Sequence, residues 1–121
     1  RAGPTAYATG LEAARALLSR ADRPDAAFCV TDLLACGFMD AARHEFGLRI
    51  PDELCVTGFD DIPQADWSSY ALTTFAQPVE DIVRTSVEWL TNDADESGLD
   101  NRSVSLHASM VWRKTIRTPG R

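Results

Sequence analysis

The polar side chains best placed to do chemistry follow short apolar runs of the chain. Asp60 and Asp61 come after one such run, Thr31 and Asp32 after another, and Gln77 after a third. An ionised carboxylate such as that of Asp60 can accept two hydrogen bonds from vicinal hydroxyls or ring N–H groups, and so orient a small polar ligand. Aspartate is also common in turns. Spacing therefore leaves both interpretations open for Asp60 and favours a turn for Asp61.

Helix capping is a structural explanation for the remaining polar residues. The side chains of Thr31 and Asp32 can each accept a hydrogen bond from the free N–H groups of a following helix, and for Asp32 this is the favoured interpretation. Thr5 lies at the entry to the first predicted helix, where threonine is more often a cap than a ligand contact. Gln77, directly before Pro78, can reach either a ligand or a backbone group.

The sequence lacks a convincing set of catalytic groups. An enzyme would need a nucleophile with its base, paired carboxylates or a metal cluster. His44 falls on the polar side of a predicted helix and His107 in a terminal strand, so both are predicted to be surface residues. The glycines show neither a dinucleotide-binding nor a P-loop spacing. We therefore predict no enzymatic activity, no cofactor and no metal.

Charge and cysteine usage limit the possible partners and compartment. The net charge of −6 leaves no basic patch for a row of DNA phosphates, so any DNA binding must use another segment. Cys29, Cys36 and Cys55 are odd in number, lack CxxC spacing and sit among apolar residues, which favours free thiols in a reducing cytoplasm. The chain contains no apolar run approaching the roughly 18 residues of a membrane span. We predict a cytoplasmic protein.

The apolar pattern predicts the elements that carry these residues. A helix includes Leu11–Leu18, and Ala26–Val30 is a short run typical of a strand buried on both faces. A second helix runs from Leu33 to about Phe46 and ends at Gly47, and Leu54–Thr57 is the next strand. This strand–helix–strand order predicts a parallel pair with a right-handed crossover.

The second half of the chain continues the alternation. Ala71–Phe75 is predicted to be a third strand, and Pro78 to open a helix with one apolar face. Asn92–Arg102 is an acidic, turn-rich loop, and Val104–Leu106 and Met110–Trp112 are two short terminal strands. The prediction is an α/β fold with an open, doubly wound, mainly parallel sheet, whose ligands bind beyond the carboxyl ends of the strands.

Five collinear segments resemble the lactose/galactose repressor family of bacterial transcription regulators. They are TGLEAARALL (9–18), RPDAAFCVTDLLACG (23–37), GLRIPDELCVTGFDDIP (47–63), LTTFAQP (72–78) and MVWRKT (110–115). The resemblance implies a periplasmic-binding-protein-like fold of two α/β subdomains, with an effector in the cleft and a helix-turn-helix head. Residues 1–121 would then be a partial effector-binding domain from the C-terminal subdomain, without the head and the N-terminal subdomain.

The resemblance also implies roles for individual residues. Asp60 matches an effector-binding aspartate, Thr31 takes the place of an asparagine that contacts effectors, and Thr5 stands where an aromatic residue often stacks on them. Gln77 and Val79 match positions that reach the pocket, and Ile82 would line its apolar wall.

Partners follow from the same resemblance. Members usually dimerise through the segments that match Leu33–Phe46 and Ile62–Tyr70, so Cys36, Trp67 and Tyr70 are predicted at a homodimer interface. Packing of the three within the chain is the alternative. The expected effector is a sugar or a nucleoside, and operator DNA would be bound only through the head. The alternative function is that of a solute-binding protein of a sugar transporter.

Overall fold

The computed structural model describes residues 5–91 and 103–118. Along the chain it contains helix α1 (Tyr7–Leu18), strand β1 (Ala26–Phe28), helix α2 (Asp32–His44), strand β2 (Cys55–Thr57), a 3₁₀ helix (Pro63–Asp66), strand β3 (Thr74–Ala76), helix α3 (Val79–Thr91) and strand β4 (Ser109–Val111). The predicted loop Asn92–Arg102 lies outside the described residues. Strands and helices alternate as predicted, and the fold is of the α/β class.

The four described strands lie side by side in the order β1, β2, β3, β4. β1 pairs with β2 in parallel, and β3 pairs with β4 antiparallel. Isolated parallel bridges, Thr57 with Thr73 and Asp60 with Ala76, join β2 to β3. The βαβ unit predicted from the sequence is therefore confirmed, and the terminal strand runs against the others.

Helices α1 and α2 pack closely through glycines. A Cβ on Gly10 of α1 would overlap the carbonyl oxygen of Leu34, and a Cβ on Gly37 of α2 would overlap that of Tyr7. α2 also contacts β2 and the 3₁₀ helix. The core lies between these elements and consists mainly of small and medium apolar side chains: Ala14, Leu18, Ala35, Phe38, Met39, Ala41, Ala42, Leu54, Val56, Ala65 and Leu72.

The segment after β4 returns to the sheet and closes it. Thr115 is fully buried, and its hydroxyl donates to the Val56 carbonyl at 2.6 Å while accepting from the Thr73 amide at 2.9 Å. The Val56 amide in turn donates to the Thr115 carbonyl at 3.0 Å. One threonine thus satisfies backbone groups that would otherwise be unpaired in the interior.

Several predicted elements differ from the structure. β1 is not buried on both faces, because Phe28 is 62% exposed and, among the described residues, β1 pairs only with β2. The run Val104–Leu106 is exposed and forms no strand. β3 and β4 are each shifted by one or more residues from their predicted positions. α2 ends at His44, two residues earlier than predicted. Gly47 beyond it has the predicted left-handed conformation, with φ +63°.

Candidate functional site

Backbone hydrogen bonds bring the ends of the three parallel segments together. The Asp32 amide donates to the Phe59 carbonyl at 3.0 Å, and the Asp60 amide donates to the Phe75 carbonyl at 2.9 Å. The first bond joins the residues after β1 to those after β2, and the second joins the end of β2 to β3. The rings of Phe59 and Phe75 stack with centroids 6.0 Å apart. Polar residues from three separate parts of the sequence therefore share one edge of the sheet.

Asp60 occupies an unusual backbone conformation at this edge. Its φ is +133° and that of Asp61 is +60°, so two successive non-glycine residues lie in the left-handed region. Each such residue costs on the order of 1–3 kcal/mol and persists only where surrounding contacts hold it, most often at functional sites. The Gln77 side-chain amide donates to Asp60 Oδ1 at 2.5 Å. The structure thus brings together two of the predicted effector-binding residues.

Asp32 does not cap α2, contrary to its favoured interpretation. Its side chain is fully buried and accepts hydrogen bonds from the Ile62 amide at 3.0 Å and from the Thr74 hydroxyl at 2.5 Å. The cap is Thr31, whose hydroxyl oxygen accepts from the Leu34 amide at 3.3 Å. Since a hydroxyl also has one proton to donate, capping leaves Thr31 able to donate to a ligand.

Arg113 is a residue of this region that the sequence analysis missed. Its guanidinium lies 2.8 Å from the Asp61 carboxylate and donates to the Leu72 carbonyl at 3.0 Å, and its side chain is 16% exposed. A planar guanidinium can hold several acceptors at once in fixed directions. The sequence did contain a signal for Arg113, because it directly follows the apolar run Met110–Trp112 as the other polar residues follow theirs. The spacing of residues did not indicate which side chain it contacts.

A shallow depression of about 410 Å³ adjoins Gln77. Its lining residues come from the start of α3 and from the segment that leads into β4: Gln77, Pro78, Val79, Glu80, Asp81, His107 and Ser109. Val79 thus lines the same depression as Gln77. Ile82 is 39% exposed on α3 and does not line this depression. Thr5 is exposed just before α1.

The three predicted interface residues have different surroundings. Cys36 is only 2% exposed, so it offers no apolar surface, and its prediction as an interface residue is wrong within the chain as described. Tyr70 is half-buried, and its hydroxyl donates to Asp40 at 2.9 Å. Trp67 is 55% exposed, directly after the 3₁₀ helix. Of these three residues, Trp67 alone presents a large, mostly exposed apolar side chain to solvent.

Two tyrosines and two cysteines outside this edge are stabilised in their neutral forms. The hydrogen bond to Asp40 raises the pKa of Tyr7 to about 12, and burial is the main cause that raises the pKa of Tyr70. Burial also raises the pKa of Cys29 to about 12 and that of Cys36 to about 11. All three cysteines are free thiols, so these two are poor nucleophiles at neutral pH.

Residues 5–91 and 103–118 contain no cluster of three or more histidine, cysteine, aspartate or glutamate side chains that could hold a metal ion. Within the same ranges, none of the helices is both long and apolar enough to span a membrane.

Comparison with family models identifies the class of protein to which this fold belongs. The model of the periplasmic binding protein-like domain matches residues 1–116. The chain therefore belongs to the periplasmic binding protein-like domain family, in the form found in LacI-family transcription regulators.

Similar proteins support the assignment to LacI-family transcription regulators. The HTH-type transcriptional repressor PurR of Vibrio vulnificus is 35% identical over 109 residues, which are 90% of this chain and 32% of the repressor. A LacI-family transcriptional regulatory protein of Corynebacterium glutamicum is 28% identical with a TM-score of 0.78, covering 96% of this chain and 44% of that one. The chain spans about a third of the length of the PurR relative.

A second similar structure carries a small ligand. It is a sugar-binding LacI-family transcriptional regulator of Escherichia coli, complexed with phosphate. It is 28% identical to this chain with a TM-score of 0.78, covering 97% of this chain and 41% of its own.

Proposed function

We propose that this chain is the effector-sensing and dimer-forming part of a bacterial transcription regulator. Residues 1–121 correspond to part of the effector-binding domain, on the side of the C-terminal subdomain. The intact protein is cytoplasmic, binds operator DNA through a separate head, and responds to a small sugar-like or nucleoside-like effector. It acts by binding rather than by catalysis, without a cofactor.

The observation that carries this proposal is the conformation and placement of Asp60. Its carboxylate follows a central strand of the described sheet, where ligands of open α/β folds bind, and its φ of +133° shows that the fold sustains a costly backbone geometry there. Gln77 adds an amide next to the carboxylate. A carboxylate beside an amide suits a ligand with several hydroxyl or ring N–H groups.

The relatives favour a regulator over a transporter's solute-binding protein. The similar proteins carry the names of transcriptional repressors and regulators, and one is called sugar-binding. The net charge of −6 agrees with a sensing part that leaves DNA contacts to another segment.

The effector would act by shifting an equilibrium between two arrangements of the effector-binding domain. A ligand can shift such an equilibrium only by its difference in affinity for the two arrangements. DNA affinity and effector affinity are then coupled reciprocally. Asp60 would contribute a contact that is complete in one arrangement only.

A thermal-shift screen of the full-length protein tests this function. The panel contains lactose, D-ribose, D-glucose, adenosine and ribose 5-phosphate, and a bound compound raises the unfolding temperature because it binds only the folded state. We expect Asp60→Ala and Asp60→Asn to weaken the binding of the responding compound by roughly 10- to 100-fold, since each removes charge-assisted hydrogen bonds. DNA binding without the compound should persist.

Asp52→Asn is the matched control, because Asp52 is an exposed aspartate in the turn that precedes β2. It should respond as the unmodified protein does. An unchanged response in both Asp60 variants would refute the assignment of Asp60 as an effector ligand.

A further inference from the structure

We infer that Asp32 and Arg113 are positioning residues that brace the Asp60–Ile62 turn, Asp32 at its end and Arg113 at its middle, so that the Asp60 carboxylate is preorganised for the effector. This inference rests on the proposed function. It adds two residues to the site, neither of which was assigned to effector binding by the sequence or the resemblance.

The turn needs support because its own backbone is strained. Asp60 and Asp61 both have positive φ, at +133° and +60°, in a region that side-chain-bearing residues seldom adopt. At its start the turn is tied to β3 by the bond from the Asp60 amide to the Phe75 carbonyl. At its end, the Ile62 amide is held by the Asp32 carboxylate.

Asp32 acts as a buried anchor for the end of the turn. Its carboxylate joins the Ile62 amide to the Thr74 hydroxyl of β3, so the turn and the strand are fixed to the start of α2 at one point. The side chain is fully buried and closely packed, since a Cβ on Gly58 would overlap its Oδ1. An apolar residue in its place would leave the partly buried Ile62 amide without this acceptor, which costs free energy.

Arg113 holds the middle of the turn from the other side. Its guanidinium contacts the Asp61 carboxylate at 2.8 Å and the Leu72 carbonyl at 3.0 Å. Its own amide donates to the Thr73 hydroxyl at 3.0 Å, so the brace is itself fixed next to β3. The two neighbouring aspartates thereby have different tasks: Asp61 is engaged by Arg113, whereas the side-chain partner of Asp60 among the described residues is the neutral amide of Gln77.

Hydrogen–deuterium exchange of the full-length protein, followed by mass spectrometry, tests the brace without any ligand. We expect Arg113→Met and Asp32→Ala to speed exchange in peptides covering the Asp60–Ile62 turn by roughly tenfold or more, because local opening then becomes easier than global unfolding. Peptides from α1 and α2 should keep their exchange rates in Arg113→Met. Asp22→Asn is the control, because Asp22 is an exposed aspartate that is distant in sequence from the turn.

Conservative variants separate positioning from packing. In Asp32→Asn the amide oxygen can still accept from the Ile62 N–H while the amide N–H donates to the Thr74 hydroxyl, which can serve as acceptor as well as donor. We therefore expect Asp32→Asn to retain most of the turn's protection and Asp32→Leu to lose it, although leucine fills the space. If Asp32→Ala does not fold, Thr74→Val weakens the same anchor more mildly and should give a smaller local increase.

Two results would overturn the inference: an unchanged rate at the turn in Arg113→Met and Thr74→Val, or an increase spread evenly over the whole chain. The binding measurement uses whichever panel compound raises the unfolding temperature. Arg113→Met should weaken the binding of that compound. If the turn loosens but Asp60→Ala leaves the response intact, the role of Asp60 as an effector ligand fails while the brace stands. The two failures are therefore distinguishable.

Discussion

At the scale of single residues, one carboxylate accepts hydrogen bonds from both tyrosines of this chain. Asp40 Oδ2 accepts the hydroxyl of Tyr7, at the start of α1, at 2.5 Å and that of Tyr70, beyond the 3₁₀ helix, at 2.9 Å. Asp40 itself lies on α2. Both hydroxyls donate to a charged acceptor, and such hydrogen bonds are shorter and stronger than neutral ones. The three residues connect three elements of the fold.

This connection predicts late ionisation of both tyrosines. The pKa of Tyr7 is raised to about 12 and that of Tyr70 is raised as well, whereas an unfolded tyrosine ionises near 10. As pH rises, the tyrosine hydroxyls therefore lose their protons at lower pH in the unfolded state than in the folded state. The contribution to stability is full below about pH 10 and falls as pH rises from there towards the folded-state pKa.

Difference spectrophotometric titration of the full-length protein near 295 nm measures the effect. We expect Asp40→Asn to move the ionisation of two tyrosines to lower pH relative to the unmodified protein. Asp66→Asn, an exposed aspartate of the 3₁₀ helix, should leave the titration unchanged. Identical titrations of Asp40→Asn and the unmodified protein would contradict the prediction.

Residue roles were predictable only where the partner was close in sequence. The cap at Thr31 and the left-handed Gly47 depend on neighbours within a few positions, and both were within reach of the sequence. Asp32 was assigned to the wrong partner because Ile62 and Thr74 lie 30 and 42 residues away. The contact of Arg113 with Asp61 spans 52 residues. Side-chain bonds of this length follow from the fold and not from local patterns.

At the scale of elements, helices α1 and α2 approach each other closely. Gly10 and Gly37 allow the two backbones to touch, since a side chain on either would overlap a carbonyl oxygen of the other helix. Glycine normally weakens a helix relative to alanine by about 1 kcal/mol. Here that cost is offset by a contact that no other residue permits.

Gly10→Ala should therefore destabilise the protein despite its better helix propensity. Overfilling a packed interface typically costs roughly 1–3 kcal/mol, which exceeds the propensity gain of about 1 kcal/mol. The measurement is the midpoint of urea unfolding of the full-length protein. The reverse change at an exposed position of the same helix, Ala16→Gly, provides the comparison and should cost only about 1 kcal/mol. A gain in stability for Gly10→Ala would be incompatible with the close approach.

Element types were predictable, and their burial was less so. Three helices and the parallel βαβ unit follow from apolar periodicity and from turn residues. The run Ala26–Val30 indicated a strand buried on both faces, yet Phe28 and Val30 are 62% and 59% exposed. In α3 the predicted apolar face exists, but none of its residues is buried among the described part of the chain. Periodicity specifies which face is apolar and not what covers it.

At the scale of the whole molecule, Trp67 is the residue of the proposed dimer interface whose side chain is most exposed to solvent. Large aromatic residues dominate the energetics of interfaces, and Trp67 is 55% exposed beside Tyr70 and the 3₁₀ helix. We predict that Trp67→Ser weakens the dimer by about 2 kcal/mol, or roughly 30-fold in its dissociation constant. Sedimentation velocity of the full-length protein over a concentration series measures this.

Trp112→Ser is the matched control, because Trp112 is 60% exposed but lies outside the proposed interface segment. It should dimerise as the unmodified protein does. Equal dissociation constants for Trp67→Ser and the unmodified protein would remove Trp67 from the interface.

The return of Thr115 to the sheet has a consequence for how the polypeptide is made. Thr115 emerges from the ribosome 59 residues after Val56, to which it bonds. At a synthesis rate of roughly 5–20 residues per second, the interval is about 3–12 s. During that time the nascent chain has an incomplete sheet, with the Val56 backbone groups, and then those of Thr73, open to solvent or to wrong partners. Chaperone dependence should therefore be greatest for chains that stop short of Thr115.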